Sequence, residues 1–148
     1  MRAIIEKNIH QNGIQVEKAT FNRGLVVKTQ AAPVAETTAA TLTVADLLTG
    51  MITVTHTAGA TQAYTTDTGA LIEAGLPQNF AVNDSFDFTL INLSAALLDT
   101  ATLTAGASGV TIVGQAVVDS AHADSEFPSS GTFRVRKTAA DTFIIYRI

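Results

Sequence analysis

The chain has 148 residues, is 47% hydrophobic and is only 15% charged, against about 25% in an average soluble domain. This length is enough for one domain with a sizeable core. The absence of cysteine excludes disulfide frameworks, cysteine–zinc sites and thiol catalysis. Thr, Val and Ile together supply 45 β-branched residues, which favours strands over helices. No charge-free window is apolar enough for a spanning helix, so we expect no membrane segment.

The charges are segregated along the chain. Residues 1–28 carry a net charge of +3, residues 29–133 carry −10 with no Lys or Arg, and residues 134–148 carry +3. The acidic middle argues against wrapping nucleic acid, and the basic ends lack the interleaved aromatics of a nucleic-acid platform. The nine basic residues are Arg2, Lys7, Lys18, Arg23, Lys28, Arg134, Arg136, Lys137 and Arg147.

Residues 1–36 are predicted to form an extended N-terminal arm and linker, and residues 37–148 a β domain. In the arm, short apolar groups such as Ile4–Ile5 alternate with basic and polar residues, and the small, Pro-containing segment 29–41 is typical of a linker. Fully extended, 28 residues would reach about 90 Å. Two interpretations stay open: a flexible terminus, or an arm that orders against a partner and so covers its apolar residues.

The remaining pattern predicts short strands with one or two short helices. We expect strands at 51–57, 62–66 and 84–93, a helix within 67–77 that Pro77 ends, and a helix or turn at 45–49. Two hairpins are expected, one from 101–105 and 109–113 and one from 132–138 and 142–148, with a short strand at 115–118 between them. Short strands at this spacing predict an all-β fold, a small sandwich or barrel of jelly-roll type.

No catalytic constellation stands out in the sequence, and we expect no enzyme activity, no cofactor and no metal. His56 lies in an alternating strand, where a packed histidine is the ordinary case. The acidic segment 119–126 lacks the residue order of a calcium loop and is expected to be a solvated loop. Asp84 and Asp87 lie three positions apart on a strand and therefore point to opposite faces.

Seven residues are expected to be buried, either in the domain core or along the axis of an oligomer. They lie at alternate positions of three predicted strands, 84–93, 132–138 and 142–148. They are Phe86, Phe88, Leu90, Phe133, Val135, Phe143 and Ile145.

Three segments of the chain resemble the capsid decoration (cement) proteins of tailed bacteriophages and related head-associated β modules. They are DSFDFTLIN at 84–92, GVTIVG at 109–114 and GTFRVRKTAADTFIIYR at 131–147. The same series continues at 41–52 and 64–76. The resemblance covers residues 41–148 and rests on strand phrases rather than a catalytic signature. It implies a homotrimer of β domains on the outer capsid surface of the virion, bridging subunits of the phage major capsid protein.

We therefore expect a structural virion protein that stabilises the capsid, with no membrane or nucleic-acid partner. The alternative is a head-fibre or tail adhesin module that binds a host surface glycan, although the chain has no Trp to present to a sugar. In the capsid hypothesis a basic end meets an acidic shell. The arm would contact the capsid through Arg2, Ile4, Ile5, Lys7, Lys18, Arg23 and Lys28, and a second basic contact would come from Arg134, Arg136 and Lys137, with Arg147 assigned to the same hairpin face.

Overall fold

The computed structural model describes residues 21–22, 25–26, 30–126 and 128–148. Contacts divide the chain into two compact units, Met1–Gln30 and Ala31–Ile148. In the first unit, strands β1 (Phe21–Asn22) and β2 (Leu25–Val26) form an antiparallel pair.

The second unit is mostly β-strand. Its described part contains ten strands and two short helices. The strands are β3 (Val34–Glu36), β4 (Ala40–Leu42), β5 (Met51–Val54), β6 (Gln62–Thr66), β7 (Ser85–Asn92), β8 (Ala101–Thr104), β9 (Val110–Val113), β10 (Val117–Val118), β11 (Ser130–Ala139) and β12 (Thr142–Arg147). The helices are α1 (Val44–Leu48) and α2 (Gly69–Gly75). The predicted β-rich fold with one or two short helices is confirmed at this level.

These strands form two mixed sheets. The larger has six strands in the order β3-β5-β7-β11-β12-β9, and the smaller has four in the order β10-β8-β6-β4. Parallel pairing joins β3 to β5, β5 to β7, β12 to β9, β4 to β6 and β6 to β8. The antiparallel pairs are β7–β11, β11–β12 and β8–β10. Parallel neighbours need crossover connections, so most adjacent strands are not hairpins.

One predicted hairpin is confirmed and the other is wrong. Strands β11 and β12 pair in antiparallel register around the turn at Asp141, whose φ is 51°. Strand β8 instead joins the four-stranded sheet, whereas β9 joins the six-stranded sheet parallel to β12. The Gly-containing connection 105–109 therefore crosses between sheets, and local turn residues alone do not reveal which strands pair.

The predicted linker at 29–41 is wrong where it contains strands β3 and β4. Strand β3 occupies an edge of the six-stranded sheet, and the amide N–H of Thr55 donates to the carbonyl of Glu36 at 2.9 Å. Strand β4 occupies an edge of the four-stranded sheet. Small side chains are tolerated there because an edge strand is stabilised by backbone pairing as well as by side-chain burial. The second unit consequently begins at Ala31 rather than at residue 37.

Both short helices begin where the sequence provides a cap. Thr43 and Asp46 form a reciprocal capping box at the start of α1. Thr68 caps α2, which ends just before Pro77, as predicted. Gly69 opens α2 against the β11–β12 turn, where a Cβ would lie 1.9 Å from the carbonyl oxygen of Asp141. Only glycine allows the helix to approach this turn so closely.

A single hydrophobic cluster includes residues from both sheets and both helices. Of the seven residues expected in a core or at an oligomer axis, six are buried within the chain itself, so they belong to the core. Phe86 is partly buried and packs against the cluster. The largest fully buried side chains are Tyr64, Phe88, Phe133, Phe143, Leu42, Leu47, Ile52, Ile72, Leu90, Leu103, Ile145 and Val54.

Candidate interaction surface

The outer face of the six-stranded sheet is the side opposite the hydrophobic core. On β11, Phe133 and Val135 point inward and are buried, so Arg134 and Arg136 point outward. Arg134 lies opposite Asp87 on one side and opposite Tyr146 on the other. The predicted outward orientation of both arginines is confirmed.

Arg134 is held by a neighbouring carboxylate. Its Nε and Nη2 donate to the two carboxylate oxygens of Asp87 at 2.7 and 2.8 Å, a bidentate arrangement. The hydrogen bond from Arg134 lowers the pKa of Asp87, and the same bond raises the pKa of Arg134. Arg136 donates to the side-chain oxygen of Asn83. The charge of Arg134 is therefore largely compensated within the chain.

Apolar side chains share this outer face with the arginines. Ile144 lies opposite Arg136, and Tyr146 lies opposite Arg134 and beside Val113 of β9. Ile144 and Tyr146 are half-buried, and Val113 is exposed. Tyr and Arg next to aliphatic side chains are the residue types enriched at protein–protein interfaces. The row Val113–Tyr146–Arg134–Asp87 thus has the composition of a contact surface rather than of a catalytic site.

Lys137 does not share a contact surface with Arg134 and Arg136, so that expectation is wrong. A strand alternates with period two, and Lys137 consequently points inward with Phe133 and Val135. Its ammonium is buried and donates to the carboxylate of Glu73 on α2 at 2.7 Å. This hydrogen bond lowers the pKa of Glu73.

Arg147 also lies on the inner side of the sheet, not on the face with Arg134. It is opposite Phe133 in the β11–β12 register, and its guanidinium carbon lies 5.0 Å from the centre of that ring. The guanidinium donates to the carbonyls of Ser130 and Val117 at 2.9 and 3.4 Å. Burial lowers the pKa of Arg147. The assignment of a basic face to the whole final hairpin is therefore wrong.

The predicted capsid-contacting residues of the arm lie outside the described residues. This applies to Arg2, Ile4, Ile5, Lys7, Lys18, Arg23 and Lys28.

A buried polar network missed by the sequence analysis lies where β7 ends. Asn92 is fully buried; its amide donates to the carbonyl of Asp99 at 2.7 Å and its oxygen accepts from the N–H of Ser94 at 3.0 Å. The hydroxyl of Ser94 accepts from the N–H of His56, and the carboxylate of Asp99 accepts from the N–H of Gly59. The only sequence signal was a polar residue at an inward position of a strong strand.

His56 is packed beside this network, as expected, but it lies in the segment after β5 rather than in a strand. Its ring is buried, with Nδ1 3.8 Å from a carboxylate oxygen of Asp99 and its centre 6.5 Å from the ring of Tyr64. Among the residues that the structure describes, none forms a hydrogen bond with either ring nitrogen of His56 or with the hydroxyl of Tyr64. Burial raises the pKa of Tyr64.

The acidic segment 119–126 does not bring its side chains together. Asp119 is buried, whereas Asp124 and Glu126 are exposed. Among residues 30–126 and 128–148, no group of three His, Cys, Asp or Glu side chains is placed to hold a metal ion. Asp84 instead stabilises a turn by accepting from the N–H of Ala81 at 2.8 Å.

The chain matches no protein-family model, and neither the curated proteins nor the solved structures give a match. Within the part of the chain that the structure describes, no helix has the length and apolar character needed to cross a membrane.

Proposed function

We propose that the protein is a structural virion protein that binds the outside of a phage head and stabilises the capsid as a trimeric decoration protein, without enzymatic activity. The observation that carries this proposal is the outer face of the six-stranded sheet, where Tyr146, Arg134 and aliphatic neighbours form a surface suited to a protein partner. The strand phrases that resemble decoration proteins support the choice of the major capsid protein as that partner.

The fold proposed for this role is a small sandwich of two mixed sheets, whose five parallel pairs depart from the antiparallel jelly roll expected from the sequence. It is supported by the one hydrophobic cluster that draws buried side chains from both sheets, including Tyr64 of the smaller and Phe88 of the larger. Two sheets sharing a core leave their outer faces available for partners. A trimer of such modules can present several contacts at once.

Attachment is proposed to use the basic arm together with the outer face. The outer face of the six-stranded sheet contributes through shape, apolar contact and hydrogen bonding more than through net charge, because Asp87 compensates the charge of Arg134. Residues 1–28 carry a formal net charge of +3 in the sequence. Several weak contacts from one trimer reinforce one another through effective concentration.

The test is binding of the purified full-length protein to expanded heads that lack it. The full-length protein should have the solution mass of a trimer of the 15.4 kDa chain. Deleting residues 2–28 should abolish binding while the shortened protein stays a trimer. Tyr146→Ser should weaken binding at least tenfold, whereas Thr61→Ser, an exposed position outside the six-stranded sheet, should not. Wild-type protein that leaves such heads bare, or that is strictly monomeric, would refute the proposal.

The alternative remains an adhesin module that binds a host glycan. A cleft of about 230 Å³ favours it, because the lining is rich in hydroxyl and amide groups that suit a neutral polyol: Thr37, Thr38, His56, Thr57, Ala58 and Gln62. A glycan array combined with virion labelling separates the two functions. Decoration predicts hundreds of evenly spaced copies and no glycan signal, whereas an adhesin predicts few copies and a defined glycan.

A further inference from the structure

The loop between β7 and β8 presents aliphatic side chains to solvent. In residues 93–98, here the 93–98 loop, Leu93 is 52%, Leu97 is 42% and Leu98 is 65% exposed. The intervening alanines are exposed as well, and the loop contains no charged residue. Clustered exposed leucines in a soluble protein commonly mark an interaction site, because exposed apolar patches of this kind are otherwise disfavoured.

The 93–98 loop is anchored rather than loosely attached. Asn92 before it and Asp99 after it are buried and joined by the 2.7 Å bond from the Asn92 amide. Ser94 inside the loop is buried, and its hydroxyl accepts a 3.0 Å hydrogen bond from the backbone N–H of His56, which lies just after β5. Anchoring of this kind lowers the ordering cost that a partner would otherwise incur on binding.

Acidic side chains lie in the segment packed against this loop. The N–H of Ala121 donates to the carbonyl of Ser94 at 2.8 Å, which joins the 93–98 loop to the segment that carries Asp124 and Glu126. Both carboxylates are in exposed residues, and residues 29–133 contain no Lys or Arg. The loop therefore has an aliphatic tip and is hydrogen-bonded to a segment that carries two exposed acidic residues.

We propose that the 93–98 loop is a docking contact for the capsid protein, and that it meets an aliphatic patch bordered by Lys or Arg. This inference rests on the proposed function and names the chemistry of one contact within it. Complementary charge selects the patch, because the acidic residues of the adjoining segment disfavour the acidic parts of the shell and favour a local basic patch on it. The contact thus differs from those of the arm, which carry basic charge themselves.

The apolar part is tested by Leu97→Ser combined with Leu98→Ser in the full-length protein. Titration onto expanded heads that lack the protein should give at least tenfold weaker binding, since two aliphatic anchors are lost. The matched control is Leu48→Ser combined with Leu71→Ser, at leucines of the helices that are 46% and 56% exposed. This control should bind within twofold of wild type.

The charged part is tested by Asp124→Lys, with Glu36→Lys as a control that changes the net charge equally. Asp124→Lys should weaken binding to heads several-fold at low salt, and the difference from wild type should shrink as salt screens the contact. Glu36→Lys should remain close to wild type. Equal effects of the two variants at every salt concentration would overturn the charge-complementary contact.

Light scattering of every variant separates the other outcomes. If wild type does not bind heads, the proposed function fails. If wild type binds and the Leu97/Leu98 variant binds equally well, the docking inference alone is overturned. If that variant loses oligomer mass, the loop joins copies of this chain, which also overturns the inference.

Discussion

Replacing Asn92 with alanine should destabilise the fold well beyond an ordinary polar truncation. The Asn92 side chain is fully buried and connects the end of β7 to the segment that leads into β8. It donates to the carbonyl of Asp99 at 2.7 Å and accepts from the N–H of Ser94 at 3.0 Å. A longer bond reaches the carbonyl of Val118 at 3.4 Å.

The magnitude follows from the groups that lose this partner. Leaving a buried donor or acceptor unsatisfied costs about 1–3 kcal/mol each. With two short bonds lost, we expect Asn92→Ala to lower the free energy of unfolding by about 3 kcal/mol. For a chain of this size, that corresponds to a fall in Tm of roughly 6–12 °C. The variant should still fold, because domains are usually stable by about 5–15 kcal/mol.

Urea unfolding followed by circular dichroism measures the change, and hydrogen exchange locates it. The amide of Ser94 should lose protection in Asn92→Ala, because its acceptor is gone. Asn79→Ala, at an exposed position before β7, is the matched control and should change stability by less than about 0.5 kcal/mol. Equal unfolding free energies for the two variants would refute the assignment of the network as an anchor.

Three further predictions concern the core and the β11–β12 turn. Lys137 donates to the carboxylate of Glu73 and lowers its pKa. The contribution of Glu73 to stability is therefore present above its pKa in the unfolded chain and is lost as pH falls through its lower pKa in the folded chain. In urea titrations, Glu73→Gln should be less stable than wild type at neutral pH, and this difference in stability should disappear in acid. Gly69→Ala should lower the free energy of unfolding by about 3 kcal/mol, because the new Cβ would overlap backbone atoms. Gly59→Ala has open space around its Cβ but a φ of +64°, and it should lower the same free energy by about 1 kcal/mol. Calorimetry that gives equal losses for the two variants would contradict this prediction. Phe133→Ala should lower the unfolding free energy by about 3–5 kcal/mol, and a loss below 1 kcal/mol in urea would argue against its place in the core.

Local pattern was sufficient for several elements of the fold. Thr43 and Thr68 cap their helices, and Pro77 follows the end of α2, because capping and proline geometry act over a few residues. Alternation along β7 and β11 gave the inward residues, including Phe88 and Phe133, since a strand repeats every two residues. The same rule places Lys137 inward, and the sequence analysis did not apply it to a charged residue.

Strand pairing could not be predicted in the same way. The β8–β9 hairpin was wrong and β3 was taken for a linker, because parallel pairing joins residues distant in sequence. The anchored 93–98 loop could not be predicted from the sequence for a related reason. Its sequence shows only leucines and alanines between two strands, and their exposure depends on which neighbours fold over them.

The sequence by itself determined a β-rich module with one or two short helices, the inward faces of its strongest strands and a segregated charge. Only the tertiary structure shows which of these charges are compensated, because the partners of a side chain come from other parts of the chain. Asp87 compensates Arg134, Glu73 compensates Lys137, and Arg147 packs over a buried ring. A positive charge that looks free along the chain is neutralised once folding brings a carboxylate within hydrogen-bonding distance.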